Sequence, residues 1–240
     1  MDFIFELILE VFGGILESIM GSERVPKCLR YVLSVLILMP ILILLGIVFF
    51  KTTDLVIKIV MVFIAVLLTV AFGVYVYNLN KFGFLRLAKK AELPQILKLY
   101  RSVIGKTGCT WSISYPNEAT LYEDFNTQNL YVLQKGKELV GAISIVPRNE
   151  LDDLECWKVR ENAREIARVV IAPQHQGKGY GKFMVKKLCY QLEERKCKAV
   201  HLLASTENYH ALNLYREAGF QNIGQCERYD HAYYIYEKEL

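Results

Sequence analysis

The chain has 240 residues, with 29 Lys and Arg against 25 Asp and Glu, a formal charge of +4. That excess is too small to argue for a nucleic-acid partner, and residues 1–82 carry six groups of each sign, so all of it lies downstream. Length leaves room for one ordinary domain plus an appendage. The cysteines at 28, 109, 156, 189, 197 and 226 form no CxxC or Cys/His ligand spacing, so no metal centre is expected.

Residues 1–20, MDFIFELILEVFGGILESIM, set Asp2, Glu6, Glu10 and Glu17 at near-helical spacing. Phe3, Leu7, Ile8, Val11, Phe12, Ile15 and Ile19 then share a wide apolar face. The pattern predicts an amphipathic helix within residues 1–28, lying on a membrane or packed against a partner. A basic start and a small-residue cleavage site are both missing, so this is no signal peptide.

Residues 31–50 and 59–77 contain no charge. Each run is long enough to cross a hydrocarbon core of roughly 30 Å at ~1.5 Å per residue. They predict a two-helix transmembrane hairpin over residues 29–82, with the short loop KTTD at 51–54 between the spans. Arg24, Lys27 and Arg30 precede the hairpin, and Lys81, Arg86, Lys89 and Lys90 follow it. The positive-inside bias puts both flanks in the cytosol, making a multi-pass membrane protein whose soluble part is cytoplasmic. There the cysteines stay reduced.

Residues 83–240 read as a soluble domain. A strand is predicted over 83–88, then a helix over 93–104 with Pro94 in its first turn. A second helix is capped near Asn117. LYVLQKGKELVGAISIV is a hairpin, strands 130–134 and 138–146 about a KGKE turn. A polar connector leads to a strand over 166–171, a helix over 182–195, a strand over 199–204, a helix over 208–218, and closing strands over 220–226 and 232–237. The order predicts a mixed α/β sheet flanked by helices.

Between strand 166–171 and the next helix stands QHQGKGYG, residues 174–181, with glycines at 177, 179 and 181. Such a turn brings backbone N–H groups and a helix N-terminus close to a phosphate. A Walker loop fails, because GKT at 105–107 has Tyr100 where its first glycine belongs. The dinucleotide fingerprint fails as well, with Lys182 in place of its third glycine.

The stretch VVIAPQHQGKGYGKFM resembles the pyrophosphate loop of the GNAT superfamily of N-acetyltransferases, with Gln176, Gly179 and Gly181 at the signature positions. Gln174, Gly177 and Gly179 also satisfy the signature, two residues earlier; the first register starts the helix directly after the glycines. ENYHALNLYREAGF resembles the family's later motif, with Asn208, Ala211, Leu214, Tyr215, Gly219 and Phe220 where expected. The resemblance covers about residues 84–239.

It implies a splayed GNAT-type sheet and acetyl transfer from acetyl-CoA, without a metal, to a small-molecule or peptide amine. Gln176, Gly177, Lys178, Gly179, Tyr180, Gly181 and Lys182 would cradle the pyrophosphate. Val169, Val170 and Ile171 would hold the pantetheine arm by backbone hydrogen bonds, and Asn208 would bond its amide. Tyr215 would protonate the departing thiolate. Relatives that acetylate protein N-termini often place a base where this chain has Leu203, so Glu165 becomes the candidate base, with a merely exposed strand-end carboxylate as the plainer reading. His201 reads as a satisfied core histidine. Trp111 and Tyr115 offer acceptor walls, and Asp152, Asp153 and Glu155 could attract a cation. A different class stays open: a non-catalytic, membrane-tethered acetyl-CoA sensor.

Overall fold

The computed structural model describes residues 35, 36, 39, 42, 43, 45–146, 151 and 153–240. The predicted helix within 1–28 lies outside them, as does much of the first predicted span. The chain divides into two compact units, residues up to Phe84 with 135–137, and residues 85–134 with 138–240.

In the first unit, α1 runs over Leu55–Phe82 and contains the whole second predicted span. Asp54 starts it, its Oδ1 accepting the Val56 N–H at 2.8 Å, which satisfies an amide that the first turn leaves without a helical partner. Leu55–Val74 is long and apolar enough to cross a membrane, and only 6% of that stretch is buried. Among the described residues it is the one such helix.

In the second unit, α2 covers Leu93–Arg101 and α3 covers Glu118–Asn126. Helix α2 ends three residues before its predicted boundary and gives way to turns. Its buried Leu93, Ile96, Leu99 and Tyr100 recur at helical spacing. Complete burial of a side chain such as Ile96 contributes about 1.5–3 kcal/mol. The Asn117 side chain caps α3 by accepting the Thr120 N–H at 3.0 Å, as its sequence position predicts. Helices α4, Tyr180–Glu194, and α5, Tyr209–Glu217, follow later in the chain. Helix α4 begins two residues before the predicted start, because Gly179 in the left-handed region already serves as its N-cap.

Seven strands form one sheet in the order β1-β2-β3-β4-β5-β7-β6. They are β1 Phe84–Leu87, β2 Leu130–Lys135, β3 Glu138–Val146, β4 Ala163–Ile171, β5 Ala199–Ser205, β6 Gln221–Arg228 and β7 His231–Glu239. The last hairpin turns at Tyr229 and Asp230, both at positive φ (53° and 61°), which matches the twist of paired strands. Strand β4 starts three residues earlier than periodicity predicts, since Ala163, Arg164 and Glu165 pair with Ala199, Val200 and His201 of β5. That parallel pairing stops at Glu165 and His201, although β4 continues to Ile171 and β5 to Ser205. The two strands therefore part into a fork.

Helix α2 packs on β3 and β4, and its apolar side joins Leu121, Leu130, Val132, Ala142 and Val170 in one core. Helix α4 contacts the same two strands, where Met184 lies close to Gly141. Helix α5 packs on β5. The mixed α/β sheet flanked by helices is thus as the sequence predicts.

Candidate active site

One arm of the fork ends in the glycine turn. After the short turn Pro173–His175, Gly177 and Gly179 sit at φ 72° and 85°, conformations that side chains with a Cβ rarely adopt. The first intrahelical bond of α4 joins the Phe183 N–H to the Gly179 carbonyl at 3.0 Å. The amides ahead of it form the open N-terminal end of the helix, where anions are favoured. Gln176, Gly177, Lys178 and Gly179 are exposed, and the space around a Cβ at Gly177 is empty. Gln176 ties the turn back to β4, its Nε2 donating to the Ile171 carbonyl at 2.9 Å. The turn has the shape and the donors to hold a diphosphate.

Four residues assigned to this cradle also make contacts elsewhere. Gly181 is buried in α4, and a Cβ there would fall 2.5 Å from Leu214 Cδ1, so this glycine admits close packing of α5. Lys182 is paired with Glu217 of α5 at 2.6 Å rather than aimed into the turn. Lys178 donates to the Gln174 carbonyl at 2.7 Å, folding over the turn. Tyr180 is buried, its ring edge-on to His175 at 5.2 Å.

Along the fork, Val169, Val170 and Ile171 form the end of β4 that β5 leaves unpaired. Val170 is buried with the α2 core, while Val169 and Ile171 are half-buried. Between Ala167 and Val170 the strand holds one residue more than β3 opposite, where Ser144 and Ala142 are the partners. This bulge contains Arg168 at φ 52°.

Asn208 heads α5 and caps it, its Oδ1 accepting the Ala211 N–H at 3.1 Å. The loop after α2 closes over it: a Cβ on Gly108 would fall 2.5 Å from Asn208 Cα. The same loop reaches β7, where Tyr233 and Thr110 hydroxyls meet at 3.0 Å.

Tyr215 of α5 is only 6% exposed, with its ring 5.7 Å from Phe220 and 6.0 Å from Tyr236. Burial pushes its phenol well above the ordinary tyrosine range, so it is protonated at neutral pH. Among the described residues none hydrogen-bonds its hydroxyl.

Glu165 is 8% exposed, which corrects the reading of an exposed strand-end carboxylate. It stands beside His201 in the last β4–β5 pair before the fork. His201 pairs in turn with Glu237 of β7, so the three occupy one row on one sheet face. The His201 Nε2 lies 3.0 Å from Glu237 Oε1, and the Trp157 indole stacks on the imidazole at 3.8 Å. Glu237 also accepts the Lys158 and Val159 N–H groups at 3.3 and 3.0 Å. His201 is the satisfied core residue the sequence suggests. Leu203 packs with Leu151, Trp157 and Ile235.

The acceptor side differs more from expectation. Trp111 is half-buried and packs edge-on to Tyr100 at 5.4 Å against the α2 core. Tyr115 remains 43% exposed. Asp153 is bound to Arg228, Glu155 is exposed, and Asp152 lies outside the described residues. Sequence reading missed the buried cluster of Asp124, Ser144 and Arg168. The lone arginine in IARVVIA was its visible signal, whereas Asp124 sits among other acids on a short helix.

The described cysteines are free thiols, and no cluster of three metal-binding side chains occurs among the described residues. Residues 96–220 match the acetyltransferase (GNAT) family. The chain is 43% identical over 61 residues to a spermine/spermidine N(1)-acetyltransferase of Bacillus subtilis, a match over 25% of this chain and 40% of that protein. The chain thus spans well under half the length of this curated relative. A GNAT acetyltransferase from Streptococcus agalactiae superposes with a TM-score of 0.56 at 21% identity, covering 65% of this chain and 95% of that one. The aminoglycoside acetyltransferase AAC(6')-Ib, solved with coenzyme A, superposes with a TM-score of 0.51 at 22% identity over 65% of this chain and 93% of its own. With the fork between β4 and β5, the glycine turn and α5 all inside a family match longer than half the chain, this protein belongs to the GNAT acetyltransferase family.

Proposed function

We propose that the chain is a membrane-anchored N-acetyltransferase that moves the acetyl group of acetyl-CoA onto an amine on the cytosolic side. The observation that carries this reading is the fork, with a diphosphate-shaped turn at the tip of β4 and ionisable groups at its apex. Acetyl-CoA supplies an activated acetyl thioester. Gly177, Gly179 and the start of α4 would hold its diphosphate, Val169, Val170 and Ile171 its pantetheine arm, and Asn208 the arm's amide through the nitrogen left over from capping.

Acid and base then stand on opposite sheet faces. Glu165 shares a row with His201, whereas Tyr215 packs on Tyr236, which pairs with Leu202, the next residue along β5. Glu165 takes the proton that the amine sheds as the C–N bond forms. Tyr215 donates a proton to the sulfur as the C–S bond breaks, and burial keeps that proton in place until then. Holding both reactants in the fork makes attack effectively unimolecular.

Membrane anchoring is supported by the exposed apolar helix Leu55–Phe82 and by the basic residues flanking the apolar runs. The arrangement is an amphipathic segment within 1–28, a hairpin over 29–82 and the acetyltransferase domain over 83–240. The test is turnover of acetyl-CoA by the full chain in detergent, offered spermidine, an aminoglycoside or a peptide N-terminus. CoA release with at least one amine is expected. Binding of acetyl-CoA with no turnover of any amine would favour a sensor instead.

A further inference from the structure

The bulge in β4 is held by a buried polar network. The Arg168 guanidinium makes a two-pronged bond to Asp124 of α3, Nε to Oδ2 at 2.7 Å and Nη2 to Oδ1 at 2.6 Å. Its Nη1 donates to the Tyr115 hydroxyl at 2.9 Å. Ser144 of β3 donates to Asp124 Oδ2 at 2.6 Å. Arg168, Asp124 and Ser144 are 7%, 4% and 0% exposed.

Stability does not account for this arrangement. Desolvating two charges costs several kcal/mol per ion, and an apolar pair of equal volume usually holds a fold as well. The left-handed backbone at Arg168 costs a further ~1–2 kcal/mol for a residue with a Cβ. What the network does fix is register. With the extra residue in place, Val170 lies opposite Ala142 and faces the α2 core. Loss of the bulge slips the strand by one residue and turns residues 169–171 to the other face.

We propose that Arg168 is a positioning residue: its pairing with Asp124 and Tyr115 fixes the β4 bulge, and so sets how residues 169–171 meet the acetyl thioester. Tyr115 joins the half-exposed acceptor side to the same guanidinium. This rests on the reading that acetyl-CoA occupies the fork. An arginine is needed because lysine, a point charge, cannot reproduce the fork of donors.

Hydrogen exchange of the full chain in detergent, with and without acetyl-CoA, tests it. In the wild type, acetyl-CoA slows exchange over both 176–183 and 167–171. Arg168→Lys should keep the protection over 176–183 and lose most of it over 167–171. Even without ligand, its exchange over 167–171 should rise about tenfold or more, as expected for loss of a charged hydrogen bond. Tyr115→Phe, at an exposed ring, should fold normally and raise exchange there by a few-fold. Wild-type exchange over 167–171 in a folded Arg168→Lys protein, or in Tyr115→Phe if the first does not fold, overturns the proposal. Absence of protection over 176–183 in the wild type would instead sink the acetyl-CoA reading, while the ligand-free comparison still decides the role of Arg168.

Discussion

Gly105 and Gly108 lie three residues apart in one loop at the same φ, 76°, yet they face different surroundings. Nothing lies within 4 Å of a Cβ on Gly105. A Cβ on Gly108 would meet Asn208 Cα at 2.5 Å, its Cβ at 2.7 Å and its N at 2.8 Å, and backbone cannot rotate aside. Gly105→Ala should therefore cost only the left-handed strain of about 1–2 kcal/mol. Gly108→Ala adds overpacking of about 1–3 kcal/mol, for a total of about 2–5 kcal/mol. For a domain of this size that lowers Tm by roughly 4–20 °C, against about 2–8 °C for the control. Displacing Asn208 should also weaken acetyl-CoA binding, an effect Gly105→Ala should not share. Thermal unfolding and calorimetry of the full chain in detergent supply both numbers. Equal melting temperatures for the two variants would refute the close approach of this loop to the head of α5.

Tyr215→Phe keeps the ring packed against Phe220 and Tyr236 while removing the proton donor, so kcat should fall ~10²-fold or more with acetyl-CoA affinity unchanged; a wild-type kcat would assign that proton to water. Burial raises the phenol pKa of both Tyr100 and Tyr215 in the folded state, so their stabilisation is complete below the ordinary value near 10 and is lost as pH rises beyond it. Unfolding free energy should fall from about pH 10 upward at up to ~1.4 kcal/mol per pH unit for each group, and Tyr100→Phe should remove one group's share of that slope; a flat profile would contradict this. Thr53→Cys should react with an impermeant thiol reagent added outside intact cells, while Ser22→Cys should not. The reverse pattern would place the acetyltransferase domain outside.

Local causes made much of this protein legible before any coordinates. The sign of φ at Gly177 and Gly179, the caps at Asn117 and Asn208, and the apolar run that becomes α1 depend on residues within a few positions of one another. Their physics is short-range, and the sequence by itself determined them, together with the element order and the two family motifs. Contacts between distant residues were decided only by the tertiary structure. Gly181 makes room for Leu214 of α5, and Trp111 packs against the α2 core. Arg168 meets Asp124 from 44 positions away, and His201 meets Glu237 from 36. Residues 163–165 look like connector until β5 pairs with them, and that short pairing places the apex of the fork. Periodicity reports which face of an element is apolar. It carries no record of which buried charge, on which other element, answers a lone arginine in an apolar strand.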